Sequence, residues 1–145
     1  MNITKQEYQD MVKKASPNSN VVSNCIKSFI VGGGICLVSQ IIIQFFLYFG
    51  MSTENSMMYN AIILIGAAVL LTGFGIFDNI TKFAGAGASV PITGFANAMA
   101  APAIEFKKEG LIFGMAAKMF LIAGPVIVYG TLTSMIVGVI YYFVR

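Results

Sequence analysis

The stretch FDNITKFAGAGASVPITGFANAMAAPAIEFKKEG, Phe77 to Gly110, decides how the chain is read. No charged residue falls between Lys82 and Glu105. That window is about long enough to cross a bilayer. Yet it is made largely of Gly, Ala, Ser, Thr, Asn and Pro, whereas a lipid-facing helix carries Leu, Ile, Val and Phe. The composition predicts a segment surrounded by protein or facing a water-filled cavity at membrane depth. Gly85 and Gly87 weaken a helix, and Pro91 removes a backbone donor and biases Val90 away from helix. The segment therefore reads as half-helix, break, half-helix, as in many solute-path elements. Asp78 and Asn79 are the expected caps of the first piece, and Thr93 of the second. A half-helix starting near Thr93 directs free amides and a positive dipole end at the break, which suits an anion.

Composition supports a membrane setting. Of 145 residues, 57% are hydrophobic and 10% charged, and the mean hydropathy is +0.81. Soluble domains carry about a quarter charged residues. The expected fold is an all-α integral membrane protein. It has about four membrane-embedded segments, the third broken or re-entrant, plus a short N-terminal amphipathic helix. The segments are placed near 28–50, 57–77, 83–103 and 111–143, within a polytopic domain of residues 28–145. Residues 1–27 form the N-terminal helix and linker. There TKQEYQDMVKKA has an apolar edge of Tyr8, Met11 and Val12 and a basic edge of Lys5, Lys13 and Lys14. That helix fits a membrane surface, a solvated position or a partner. SPNSN at Ser16–Asn20 reads as a linker. No cleavable leader is legible, because the first residues are polar.

The net charge of +3 fits topology signalling and predicts no nucleic-acid partner. Lys5, Lys13, Lys14 and Lys27 precede the first span, which predicts a cytoplasmic N-terminus. Lys82, Lys107 and Lys108 also prefer that side, which favours a re-entrant central segment over a full crossing.

The polar residues inside apolar runs are the candidate site residues. Gly32, Cys36, Gln40 and Gln44 recur every four residues on one stripe. Unpaired amides in hydrocarbon cost several kcal/mol, so Gln40 and Gln44 should bond another helix or line a polar path. Ser89, Thr93 and Asn97 with Lys82 line the expected solute path. Lys118 either snorkels to the interface or serves as a counter-charge for an anionic solute or a partner's carboxylate. Asp78 and Lys82, four apart, could simply pair on a helix face. Glu105 with Lys108 reads as a solvated boundary. Helix contacts are expected at Gly66 and Gly73, at Gly94 and Ala98, and along Gly130, Ser134 and Gly138. Pro125 is expected to kink the last span.

Catalysis is not expected. There is no histidine, and no Ser, Cys or carboxylate pair sits beside an activating partner. AGAGAS lacks the phosphate-loop pattern. Cys25 and Cys36 lie on one helix, too far apart to bond within it. No metal set and no cofactor are predicted.

The string GFGIFDNITKFAGAGASVPITGFANAMAAPAIEFKKEGLIFGMAAKMFLIAGPVIVYG closely resembles the SpoVA family of spore-forming bacteria, and the similarity runs over most of the chain. The resemblance implies a membrane component of the dipicolinic acid system of the spore inner membrane. Such proteins act in moving dipicolinic acid, with calcium, into the developing spore and out at germination. It also implies other SpoVA proteins as partners, the soluble AD-type and the membrane AE-type subunits, in a hetero- or homo-oligomer. Two further readings use the same residues: a non-conducting assembly or scaffold subunit, and a poorly selective tension-gated pore.

Overall fold

The computed structural model describes residues 4–15 and 19–144. Among these there is no strand. Helix α1 spans Lys5–Ala15. Its start is a capping box: the Thr4 backbone N–H and hydroxyl both donate to a Glu7 carboxylate oxygen at 2.9 Å. Tyr8, Met11 and Val12 are exposed, as an amphipathic edge without an intrachain partner should be. The side chains of Lys13 and Lys14, and the linker residues 16–18, lie outside the described residues.

Helix α2 spans Val21–Tyr48. The helix begins at Val21, ahead of the membrane segment expected near 28–50, because Asn20 accepts the Ser23 N–H and caps it there. Helix α3 spans Thr53–Gly73, capped by Ser52. Among the described residues, three helical stretches, Val21–Tyr48, Thr53–Gly73 and Leu111–Val144, are long and apolar enough to cross a membrane. The membrane-protein reading and the all-α class therefore stand.

The central segment is broken twice, not once. Helix α4 spans Ile76–Ala84, α5 only Ala86–Ser89, and α6 Ile92–Glu105. The α3–α4 joint is Gly75 and the α4–α5 joint is Gly85, with φ of 71° and 55°. Those left-handed values are open to glycine at little cost. The second break follows Val90, where Pro91 enters in an extended conformation. The expected caps are corrected here. Gly75 caps α4, so Asp78 and Asn79 fall inside its first turns. Pro91 caps α6, so Thr93 lies one residue inside the helix and its side chain caps nothing.

Helix α6 has 14 residues, or ~21 Å, short of the ~30 Å of a bilayer core. It runs antiparallel to α3. Asn97 meets Thr72 near the end of α3, and further along Ala103 and Ile65 line one apolar cavity. From Asn97, α6 climbs only ~12 Å along α3 before its charged end. A 3-10 turn at Lys107–Glu109 and a π-helical stretch at Leu111–Ala116 then lead into α7, Ala117–Val144. The wider π-turn is marked by Met115 N–H donating to the Gly110 carbonyl at 3.0 Å. Pro125 lies within the continuous α7.

The core is small. Ala68, Phe77 and Ala96 are buried together, with Leu71 against them. The C-terminal part of α7, from Pro125 onward, is exposed throughout.

Candidate functional site

The site is best built from the α4–α5 joint. Helix α4 ends at Ala84, which is 1% exposed. A helix end leaves carbonyls without intrahelical partners. Here Ser28 of α2 donates its hydroxyl to the Ala84 carbonyl at 2.6 Å. One turn later, Gly87 lies directly on the Ser28 backbone. A Cβ there would stand 2.7 Å from Ser28 Cα. Gly32 meets the Gly87 carbonyl in turn, with 3.2 Å left for a Cβ. The small residues of AGAGAS thus let a short helical turn lie flat against the first span.

Beside this contact is an open cavity of about 540 Å³. Asn24, Cys25 and Ser28 line it from α2, and Lys82 through Ala86 from the joint. Lys82 Nζ is 2.6 Å from Asp78 Oδ2, and both side chains are well exposed. The pairing that the i, i+4 spacing allows is therefore present. Lys27 adds a second cation, its ammonium 5.1 Å from the centre of the Phe83 ring. Lys82 lines the cavity, and with Lys27 over Phe83 and Asp78 paired to Lys82 the local charge balance is positive.

The other expected path residues are scattered. Ser89 is exposed and donates its hydroxyl to the Gly85 carbonyl at 3.1 Å. Asn97 is half-buried, with its Oδ1 2.8 Å from Thr72 Oγ1. Thr93 is only 7% exposed, and its hydroxyl has no hydrogen-bond partner among the described residues. It faces a second, apolar cavity of about 330 Å³ between α2, α3 and α4. Lys118 is half-buried at the opposite end of α6, its ammonium 4.8 Å from the centre of the Phe106 ring. Lys82 and Lys118 therefore do not share a site within the chain. Gln40 and Gln44 are exposed on α2 and make no hydrogen bond among the described residues.

The small-residue positions divide. Gly94 is buried against the Ser89 backbone, and Ala98 is half-buried. Gly66, Gly73, Gly130 and Gly138 have open space where a Cβ would go, and Ser134 is exposed. Sequence reasoning missed Ser28, Lys27 and Gly87 as a unit. Serine four residues ahead of Gly32 was the one available signal, and nothing local tied it to residue 84.

Residues 24–140 match the family model for SpoVAC/SpoVAEB sporulation membrane proteins. The chain belongs to the SpoVAC/SpoVAEB family of sporulation membrane proteins. It is 46% identical to stage V sporulation protein AC of Bacillus subtilis (strain 168), over 95% of this chain and 93% of that protein. No solved structure matches it. The family match runs from within α2 to within α7 and leaves α1 outside.

Proposed function

We propose that this protein is a membrane subunit of a passage for dipicolinic acid, moving it with calcium into the developing spore and out at germination. One observation carries the reading: the α4–α5 break at Gly85 and the start of α2 enclose an open cavity lined by Lys82, with Lys27 over its Phe83 wall. Dipicolinate is a flat aromatic dianion. Lysines at the mouth favour its approach, and Gly85 and Ala86 on the wall leave room for a ring. No acid–base or nucleophilic set is needed for passage, so the reading is of a non-enzyme without a cofactor.

Its partners in this reading are the AD-type soluble and AE-type membrane SpoVA subunits, in the spore inner membrane, with the N-terminus cytoplasmic. The path in this reading is shared between chains, because a chain with so few spanning helices has little room for a pore of its own.

The test is solute flux in sporulating cells and in germinating spores carrying Lys82→Gln with Lys27→Gln. Expected is normal membrane insertion with slowed dipicolinate movement. Unchanged flux at unchanged protein level would remove the electrostatic claim. A second reading, a non-conducting assembly subunit, draws on the uncovered Gly66, Gly73, Gly130 and Gly138. It predicts full flux with any charge at position 82 and loss of partner subunits from the membrane when those glycines are enlarged. A tension-gated pore would pass many solutes and ignore the lysines.

A further inference from the structure

Helix α2 has two faces. One faces the rest of the chain: Ser28 bonds Ala84, Gly32 meets Gly87, Ser39 accepts from Asn60 Nδ2 at 2.8 Å, and Phe46 stacks with Tyr59. At about 100° per residue these four positions fall within ~40° of one another around the helix. Gln40 and Gln44 lie ~120–160° away, on the opposite face. Ile30, Gly33 and Leu37 share that face. Ile30 and Leu37 are 64% and 68% exposed, and a Cβ on Gly33 would meet nothing.

The depth of this face makes it unusual. With the ~20-residue apolar core of α2 centred near residue 38, Gln40 lies within ~3 Å of the bilayer midplane and Gln44 within ~9 Å. Neither amide can snorkel that far. Each has two donors and an acceptor to satisfy, and lipid offers no partner. The spacing Ile30, Gly33, Leu37, Gln40, Gln44 alternates three and four. That is the seam of a left-handed two-helix contact, with a glycine that admits close approach.

We propose that this seam is a contact between two copies of the protein, α2 against α2. The occupant follows from chemistry and orientation. An amide carries both donor and acceptor, so a glutamine complements another glutamine. Copies of one chain insert with the same orientation. A two-fold axis along the membrane normal then sets Gln40 against Gln40 and Gln44 against Gln44, with Leu37 against Leu37 between the small Gly33 turn and the amides. Polar residues at such seam positions fix register. The inference rests on α2 spanning the membrane and not on which solute passes, so the flux test and this one fail separately.

The test is disulfide crosslinking of the full chain in native membranes, with Cys25→Ser and Cys36→Ser as background. Seam positions facing each other across such a contact lie within disulfide reach. Expected is a dimer on oxidation of Leu37→Cys and none for Ile35→Cys, which faces the second cavity beside Leu64. Adding Gln40→Leu and Gln44→Leu should cut the Leu37→Cys dimer about fivefold to tenfold, the scale of interhelical amide bonds in membranes. Those side chains are exposed and make no hydrogen bond among the described residues, so protein level and insertion should be unchanged. Three outcomes would overturn the proposal: no dimer at Leu37→Cys, an adduct only with a different protein, or a monomer whose Leu37→Cys thiol reacts with a membrane-impermeant reagent, which would place the face on an aqueous path.

Discussion

Ser28 Oγ donates to the Ala84 carbonyl at 2.6 Å, across 56 residues of sequence. The bond ties the first span to the end of α4, and it satisfies a carbonyl that the break at Gly85 would otherwise leave buried and unpaired. Ser28→Ala removes the donor and keeps the acceptor buried. The cost of such a group is about 1–3 kcal/mol. Thermal unfolding of the purified protein in detergent should show that loss, whereas Ser28→Thr should restore most of it only if the added methyl clears Gly87.

Glycines that look alike in the sequence should respond oppositely to alanine. At Gly87 a Cβ would be 2.7–2.8 Å from Ser28 backbone atoms, and at Gly94 it would strike the Ser89 backbone. Backbone cannot rotate away, so Gly87→Ala should cost several kcal/mol, beyond the ~1–3 kcal/mol of ordinary overpacking. At Gly66 and Gly73 nothing lies within reach. Alanine there should be neutral or stabilise by up to about 1 kcal/mol through helix propensity. Denaturation of the four variants side by side checks the contrast.

Asn97 and Thr72 join α6 to α3. Thr72 Oγ1 is 2.7 Å from the Ala68 carbonyl and 2.8 Å from Asn97 Oδ1. Interhelical bonds of this type contribute about 0.6–1.7 kcal/mol in membranes. Asn97→Ala and Thr72→Ala should each lose about that much, and the double variant should lose little more than either alone. An additive double variant would show that the two side chains act separately.

Phe106→Leu should release Lys118. A ring face holds an ammonium with about 0.5–2 kcal/mol. The substitution should weaken the α6–α7 corner, seen as faster amide exchange around Leu111–Ala116, where the π-turn already has longer-range backbone bonds. Lys118→Met should produce the same local change without a charge at this depth. If the lysine instead serves a partner's carboxylate, Phe106→Leu will leave exchange unchanged.

The N-terminal helix should be acid-sensitive. Hydrogen bonds from Thr4 lower the Glu7 pKa below its ordinary value of 4.5. A depressed carboxylate pKa contributes stability above the unfolded value, and that contribution is lost as pH falls below 4.5 through the folded value. Exchange protection in the first turn of α1 should therefore fade below pH 4.5, and Glu7→Gln should show weak protection at every pH.

Much was legible from residue types alone. Long apolar runs and scarce charge require lipid-buried helices, because a backbone in hydrocarbon must bond itself. Pro91 and the paired glycines require a break, because they remove a donor or admit turns that other residues resist. The family was legible too, through the long unusual string around FDNITKFAGAGASVPITGFAN. The caps were not. Asp78 and Thr93 are good capping types, but Gly75 and Pro91 set the chain direction first, and the helices began where the backbone allowed.

Periodicity says which residues share a face of a helix, and it says nothing of what covers that face. Gly32 and Gln40 fall in one four-residue stripe, yet α2 turns about 100° per residue and the stripe drifts around it. Gly32 ends against Gly87, while Gln40 points outward. Only the long-range packing of α2 on α3 and α5 decided that division. It also decided that Lys82 lies beside the start of α2 while Lys118 packs on Phe106 at the C-terminal end of α6, since their separation depends on where a 14-residue helix lies and not on any local preference.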